Sequence, residues 1–363
     1  MPKKFNIMGL CKPDEHYIVN IQDKLACIKK MVDNGEYFVI NRSRQCGKTT
    51  TLFALEEYLN PDYLILHLDF RAISNFEFEN AFVSAFSREL LNQCSDISQS
   101  ISKQLKIFEK SEKGKYFLSD LFGVLCELCE KSFKPVVLMV DEVDSASNYQ
   151  PFLDFLGKLR YYYQNRYELP TFKSVIFAGV HDICNLSSRD KNRISIPWNI
   201  ASNFDVEMNF SLNGIVGMLT EYESDYHTGM NIDEMSQLIY DYTSGYPVLV
   251  SLFCKLMDER IAGTENFPTK SDAWTKTGFF EAEKILLAEE TPLSCSIFDT
   301  LKENEKLREV LHRMLLHDLI IPYDVYNGVM YPAIMYGFVT NKEGLFAISN
   351  RIFEAQIYKE LME

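Results

Sequence analysis

Residues 44–50 read Arg-Gln-Cys-Gly-Lys-Thr-Thr and stand between the short apolar run Tyr37–Ile40 and a predicted helix over residues 48–59. A strand, a turn with glycine and a helix in this order favour a phosphate site. Gly47 lets the backbone approach a phosphate, successive N–H groups form an anion nest, and the helix N-terminus is positive. We expect seven residues to bind nucleotide phosphates: Arg44, Gln45, Cys46, Gly47, Lys48, Thr49 and Thr50.

The Gly-Lys-Thr-Thr end of this segment supplies the groups that such a site needs. Lys48 is expected to reach the β- and γ-phosphates, the Thr49 hydroxyl to ligate Mg²⁺, and the Thr50 hydroxyl to bond the α-phosphate. The consensus of this loop, G-x-x-x-x-G-K-[ST] or Walker A, has its first glycine replaced here by Arg42. The alternative is an ordinary helix N-terminus without a ligand.

Two carboxylates, Asp141 and Glu142, follow the apolar run Val136–Val140. In P-loop enzymes an aspartate at a strand end, the Walker B position, holds Mg²⁺, and a neighbouring polar residue orients the attacking water. We therefore expect Asp141 to bind the metal together with Thr49. Glu142 is expected to activate the water, with Lys48 and Asp141 completing the catalytic set. Asp144 fits either an outer partner of this site or a helix cap. The alternative is a solvated strand end.

Apolar runs of β-type composition alternate with helical periodicity in the first part of the chain. This alternation predicts an α/β fold, a P-loop NTPase core whose parallel sheet is covered on both faces. We predict this core at residues 1–210, a helical lid at 211–263 and a winged-helix-like module at 264–363. Short strands are predicted at 319–321 and 337–340, the second of them paired with 345–349. The predicted core strands are Tyr37–Ile40, Tyr63–Phe70, Pro135–Val140 and Lys173–Val180. A helix is predicted before them over residues 17–33, where Ile21, Leu25, Ile28 and Met31 have near-helical spacing.

The composition limits the class of protein. With 363 residues, 47% of them hydrophobic, the chain can form two or three domains with sizeable cores. The net charge of −14 argues against a general binder of phosphate backbones. No apolar run reaches the roughly 18 residues of a spanning helix, and the N-terminus lacks an apolar signal core. We expect a cytoplasmic protein without a membrane partner, whose nine cysteines are reduced thiols.

Short stretches spread along the chain match the pattern of one class of ATPase. They are residues 9–11, 17–20, 35–38, 41–52, 140–144, 178–182, 197–200, 245–247 and 348–354. With this set the chain resembles AAA-like P-loop ATPases of the STAND and archaeal-ATPase type, and in particular the bacterial AAA-ATPase-like family. The resemblance covers essentially the whole chain, and that family also lacks the first glycine of the loop.

The resemblance implies further residues of a nucleotide site. Tyr17 and Val19 would line the adenine pocket, His181 would sense the γ-phosphate, and Pro247 would pack near adenine from the helical lid. By sequence alone, Gly245-Tyr246-Pro247 is equally a helix stop followed by a helix start, with the proline in a first turn.

The resemblance also raises the questions of an arginine finger and of a nuclease. Arg189 or Arg193 fits the role of an arginine finger, but both are better interpreted as solvated arginines of a loop. Members of the family usually continue into a PD-(D/E)XK nuclease-like domain. The nearest pattern here, Pro61-Asp62 followed by Asp69-Phe70-Arg71, lacks the lysine and lies on a predicted interior strand, so we reject it. We expect either a naturally short homologue or a truncated chain.

These patterns predict an ATP-binding protein, a Mg²⁺-dependent ATPase that acts as a molecular switch. It would control a protein partner or effector domain, and an oligomer is compatible with this role. Two alternatives stay open. One is a nucleic-acid-associated regulator in which the nucleotide is structural, which the acidic charge disfavours. The other is a degenerate P-loop protein that binds nucleotide without turnover.

Overall fold

The chain divides into two compact units that interleave along the sequence. The computed structural model describes residues 2–43, 45–73, 77–93, 97–110, 115–147, 149–180, 198–324 and 327–362. One unit, here the sheet unit, consists of Gln22–Arg42 and Lys48–Glu207. The other, here the helical unit, consists of Met1–Ile21, Ser43–Gly47 and Met208–Glu363. The predicted three domains do not follow this division, and their boundaries stay a prediction.

The sheet unit contains a parallel sheet that, among the described residues, has five strands in the order β2-β3-β4-β1-β5. The carboxyl ends of parallel strands meet at one edge, and the chain reverses its strand order beside β1, where open α/β sheets place their ligands. The strands are β1 (Tyr37–Asn41), β2 (Leu64–Asp69), β3 (Val136–Asp141), β4 (Ser174–Gly179) and β5 (Ala201–Ser202).

Helices cover this sheet, and its central strands are buried. All six residues of both β3 and β4 are buried, which explains why these strands read as continuous apolar runs without alternation. The predicted α/β core with a parallel sheet is confirmed. The helices of the unit are α1 (Gln22–Asp33), α2 (Lys48–Leu59), α3 (Glu79–Gln93), α4 (Gln99–Glu109), α5 (Leu118–Lys131) and α6 (Gln150–Gln164).

In the helical unit, the described residues form helices and one β-hairpin. Its elements are α7 (Leu212–Tyr226), α8 (Ile232–Thr243), α9 (Pro247–Leu256), α10 (Lys270–Ala273), α11 (Lys276–Ala288), α12 (Pro292–Glu303), α13 (Glu305–Leu316), α14 (Tyr331–Met335), β6 (Val339–Lys342), β7 (Leu345–Ile348) and α15 (Arg351–Met362). A π-helical stretch, Met257–Ile261, directly follows α9. Along the described ranges, no helix combines the length and apolar character that crossing a membrane requires.

The C-terminal hairpin confirms the predicted strand pair with a shift of two residues in its first strand. β6 and β7 pair antiparallel, and the two turn residues, Glu343 and Gly344, both have positive φ, 55° and 82°. This is the turn type whose twist suits a hairpin. The short strand predicted at 319–321 is absent there, and the chain forms only an isolated bridge from Pro322 to Leu345. The winged-helix assignment stays a prediction.

The N-terminal residues belong to the core of the helical unit. The sequence predicts a helix over 17–33, but α1 begins only at Gln22. The Tyr17 backbone N–H instead donates to Lys4 O at 3.0 Å. The Tyr17 ring packs 4.9 Å from that of Phe5 and 5.3 Å from that of Tyr222. Tertiary pairing therefore overrides the helical periodicity of this segment.

Candidate functional site

The turn between β1 and α2 adopts a backbone suited to binding an anion. Gln45 and Gly47 have left-handed backbone angles, with φ of 59° and 83°. A Cβ atom on Gly47 would meet nothing within 4 Å, so its backbone angle requires glycine while the space beside it stays open. The N–H groups here and the α2 N-terminus offer donors and the positive end of a dipole to a phosphate.

Lys48, the first residue of α2, is buried although it is a cation. Only 8% of its surface is exposed, and its Nζ donates a hydrogen bond to Arg42 O at 2.9 Å. A buried ammonium needs such partners, but a neutral carbonyl binds it less strongly than an anion does. A phosphate bound at the turn would therefore compete with the Arg42 carbonyl for this ammonium.

Arg42 stands where the loop consensus has its first glycine, and its side chain is used structurally. Its guanidinium donates to Asn41 O at 2.9 Å and to Phe204 O at 2.8 Å. It also lies 5.2 Å from the centre of the Phe204 ring. These contacts tie the end of β1 to the segment after β5. The substitution thus replaces a flexible residue by a fixed one at the start of the loop.

Thr49 in the first turn of α2 and Asp141 at the end of β3 are in direct contact. Thr49 Oγ1 donates a hydrogen bond to Asp141 Oδ2 at 2.7 Å. Asp141 is only 2% exposed, and its Oδ1 accepts from Glu142 N at 2.9 Å. Hydroxyl and carboxylate oxygens are ligands that Mg²⁺ prefers. The structure brings the two predicted metal ligands together, and their chemistry fits this ion.

Glu142 follows Asp141 with a left-handed backbone, φ 53°, which is uncommon for a residue other than glycine. Burial raises the pKa of its carboxyl, and the Asp141 carboxylate raises this pKa further. The nearby cations of Arg71 and Lys48 act in the opposite direction. A strained backbone and a perturbed carboxyl at a sheet edge are features that cluster at functional sites.

Asp69 and Arg71 join this edge, and the sequence analysis did not assign them to it. Asp69 ends β2 in register with Asp141 on β3. The Arg71 guanidinium binds both Asp69 oxygens, from Nε to Oδ1 at 3.1 Å and from Nη2 to Oδ2 at 2.6 Å. Its Nη1 lies 3.9 Å from Glu142 Oε1. Burial favours a higher pKa for Asp69, but the bonds from Arg71 outweigh it and leave that pKa lowered.

Asp144, for which the sequence suggests either an outer contact of the site or a helix cap, connects two strand ends. Its Oδ2 accepts from Val180 N at 2.7 Å, just after β4. A Cβ on Gly179 would lie 2.9 Å from Val143 Cγ2 and 3.0 Å from Asp144 Oδ1. The glycine therefore permits this close approach. Asp144 fixes the turn after β3 against the end of β4.

The remaining predicted phosphate residues differ in their surroundings. Gln45 is exposed, Cys46 is buried with 3% of its surface accessible, and Thr50 is partly buried in the first turn of α2. Their roles toward a phosphate stay predictions. The predicted site residues Arg44 and His181 lie outside the described residues, as do Asp182, Arg189 and Arg193.

The three residues predicted to contact the base lie in the core of the helical unit. Tyr17 is 3% exposed, and its hydroxyl donates to Asp225 Oδ2 at 2.7 Å. Val19 is 6% exposed, and a Cβ on Gly214 would lie 2.6 Å from its Cγ1. Pro247 is buried and occupies the first position of α9, as the sequence predicts. The Tyr17 ring and the Val19 side chain are thus engaged in packing, and the base contacts stay a prediction.

Known proteins share this sequence pattern and fold. The AAA-like domain family matches residues 10–312. The chain belongs to this family. Comparison with curated proteins gave no match.

Two solved structures are similar to this AAA-like protein over nearly their whole length. The Walker-type ATPase of Pyrococcus abyssi has a TM-score of 0.60 at 14% identity, with 98% of this chain and 99% of that one covered. The ORC2 protein of Aeropyrum pernix has a TM-score of 0.51 at 12% identity, with 98% and 96% covered. At these identities the likeness concerns the fold.

Proposed function

We propose that this AAA-like protein binds ATP with Mg²⁺ and hydrolyses it. The observation that carries the proposal is the 2.7 Å hydrogen bond from Thr49 Oγ1 to Asp141 Oδ2, beside the buried Lys48. This hydroxyl and this carboxylate are the pair that holds the metal in P-loop enzymes, and the lysine binds the β- and γ-phosphates. An ordinary helix N-terminus would not need a buried cation and a buried carboxylate.

The proposed roles divide between binding and chemistry. Lys48 and the backbone N–H groups of the turn would bind the phosphates, while Thr49 and Asp141 would hold Mg²⁺. When bound, Mg²⁺ would neutralise charge on the phosphates. Glu142 would orient and deprotonate the water that attacks the γ-phosphate, because its carboxylate is half-buried and close to the predicted ligands.

The switch role is the second part of the proposal. Nucleotide binding to one part of the chain would change the population of conformations elsewhere and so control a protein partner or effector domain. Pro247, Tyr17 and Val19 would supply base selectivity, since a phosphate loop reads phosphates only. No contact in the described residues favours the nucleic-acid alternative.

The metal dependence of ATP binding tests this proposal. Thr49→Val keeps the shape of the side chain and removes the metal-ligating hydroxyl. We expect the parent protein to bind and hydrolyse ATP in a Mg²⁺-dependent manner, and Thr49→Val to lose at least about 10-fold in turnover while it still binds ATP without metal. Thr220→Val is the matched control, because Thr220 is exposed on α7 and bonds only the local carbonyl of Val216 among its described hydrogen bonds.

Isothermal titration and phosphate release, each with Mg²⁺ and with EDTA, measure the two quantities. A parent protein that binds no ATP would overturn the proposal as a whole. Unchanged Mg²⁺ dependence in Thr49→Val would overturn the assignment of Thr49 as a metal ligand.

A further inference from the structure

The phosphate loop is in direct contact with the start of α9 inside the helical unit. Ser43 Oγ lies 3.3 Å from the Tyr246 hydroxyl. Tyr246 is 3% exposed and is the last residue before α9 begins at Pro247. Gly245 fixes its position, because Gly245 O accepts from Phe210 N at 2.8 Å and a Cβ on Gly245 would collide with the Phe210 carbonyl.

A third element reaches the same point from the C-terminal part of the unit. Gly337, between α14 and β6, has a left-handed φ of 76°. A Cβ atom on Gly337 would lie 2.7 Å from Ser43 Oγ and 3.3 Å from the Tyr246 hydroxyl. Its close approach to Ser43 therefore depends on the absence of a side chain as well as on the backbone angle.

Aromatic packing extends this contact into the last helix. The Tyr246 ring lies 5.3 Å from that of Phe353 on α15, in an edge-to-face arrangement. Phe353 in turn packs 5.9 Å from Phe338, the residue after Gly337. A displacement of Tyr246 would therefore also displace α15 and the turn before β6, because close-packed rings cannot move independently of their neighbours.

A bound nucleotide would also compete with one hydrogen bond at the phosphate loop, that from Lys48 to Arg42. Lys48 Nζ donates to Arg42 O, and this carbonyl belongs to the peptide that joins Arg42 to Ser43. Phosphate oxygens compete for the same ammonium. Loss of the Lys48 bond would free that peptide to rotate, and rotation would move Ser43 relative to its neighbours.

We propose that the contact of Ser43 with Tyr246 and Gly337 transmits nucleotide occupancy of the phosphate loop to the C-terminal segment 331–353. The inference rests on the proposed ATP binding and adds the residues through which binding is reported. In thermodynamic terms, ATP binding is then coupled to the contact of Ser43 with Tyr246 and Gly337. Allosteric coupling of this kind typically changes a binding or conformational equilibrium by about fivefold or more.

Hydrogen exchange of the full chain with and without ATP and Mg²⁺ tests the coupling. The reporter amides are those of Gly337, which bonds Ile334 O, and Phe338, which bonds Ala333 O. We expect ATP to change their exchange rates by about fivefold or more in the parent protein. Tyr246→Phe keeps the ring and removes the hydroxyl, so it should reduce this change to within about twofold while ATP still binds. Tyr358→Phe, an exposed site on α15, should keep the full change.

A pair of glycine variants gives a second, independent arm. Gly337→Ala and Gly344→Ala both place a side chain at positive φ, but only Gly337 faces a neighbour, since a Cβ on Gly344 would meet nothing within 4 Å. We expect Gly337→Ala to abolish the ATP-dependent change in exchange, and Gly344→Ala to keep it despite its own backbone strain.

The possible outcomes separate the inference from the proposed function. A full exchange response in Tyr246→Phe, or a parent protein that binds ATP without any response at these amides, overturns the inference alone. A parent protein that binds no ATP overturns both. A response lost in Tyr246→Phe and kept in Tyr358→Phe supports the coupling.

Discussion

Carboxylates have different surroundings in two regions of the molecule, one in the helical unit and one at the carboxyl edge of the sheet. In the helical unit Asp258 accepts a hydrogen bond from Tyr222 at 2.5 Å and pairs with Lys270, while Trp274 Nε1 bonds the Tyr222 hydroxyl at 2.8 Å. Burial and the bond to Asp258 raise the pKa of Tyr222 and so keep it protonated. Donors, acceptors and charges are matched in this cluster.

At the carboxyl edge of the sheet the charges are not matched in this way. Asp141 and Glu142 are adjacent carboxylates, and the pKa of Glu142 is raised by burial and by its neighbour. The Arg71 guanidinium is bound to Asp69 at hydrogen-bond distance and stands 3.9 Å from Glu142. The cluster around Asp258 therefore stabilises the fold. The repulsion between Asp141 and Glu142 instead favours binding of a cation and suits a catalytic site.

The largest stability effect is therefore expected in the helical unit. Asp258→Ala removes the acceptor of the buried Tyr222 hydroxyl and the carboxylate partner of the partly exposed Lys270, which costs about 1–3 kcal/mol. Asp299→Ala, at an exposed position on α12, should cost less than about 0.5 kcal/mol. Urea unfolding monitored by circular dichroism measures both. Equal midpoints for the two variants would contradict the structural role of Asp258.

A smaller effect is expected on the pH dependence of hydrolysis. The Arg71 guanidinium lowers the pKa of Glu142, so Arg71→Met should raise that pKa further. A base must be ionised to accept a proton, so the acid limb of the rate profile should move to higher pH. Arg71→Lys keeps the charge and should restore part of the shift. Single-turnover rates across pH measure the position of the acid limb. If the acid limbs of the parent and of Arg71→Met coincide, Arg71 does not influence the ionisation of Glu142.

The smallest effect concerns stability in the absence of nucleotide. The folded state raises the pKa of Glu142 above its ordinary value, so the folded protein binds this proton more tightly than the unfolded chain does. The ionised carboxylate therefore costs stability above the raised pKa, and this cost disappears as the pH falls below about 4.3. Glu142→Gln should be slightly more stable than the parent at pH 7, by less than about 1 kcal/mol, and equal to it at acid pH.

Thermal unfolding at several pH values checks this last expectation. A parent protein that is the more stable one at pH 7 would mean that Glu142 is a matched structural charge, as Asp258 is.

Much of the sheet unit could be predicted from local patterns. The strands β1, β3 and β4 are continuous apolar runs, and α2 begins at Lys48 as the Gly-Lys-Thr pattern indicates. The two-residue strand β5 was missed because two residues give no periodicity. Two local motifs were enough to predict that Thr49 and Asp141 lie together, since Asp141 ends β3 and Thr49 begins the helix that follows β1 in the same parallel sheet.

The contacts that were missed depend on tertiary arrangement. Asp69-Phe70-Arg71 was considered only as a nuclease pattern, and its place beside Glu142 follows from β2 and β3 being neighbours. The rule that drew attention to Asp141, a carboxylate at the end of an apolar strand, applies equally to Asp69. Tyr17 shows the opposite error. The apolar spacing that begins at Ile21 predicted a helix from residue 17 onward, whereas the Tyr17 backbone pairs with Lys4.

The most direct test of the account compares Lys48→Ala and Glu142→Gln with the parent protein. The dissociation constant for ATP with Mg²⁺ and the single-turnover hydrolysis rate are measured for all three. Lys48 binds phosphate in the ground state and in the transition state, so its loss should lower both affinity and turnover. Glu142 acts on the water, so Glu142→Gln should bind ATP as the parent does and hydrolyse it at least about 100-fold more slowly. Hydrolysis by Glu142→Gln at the parental rate would contradict the central claim.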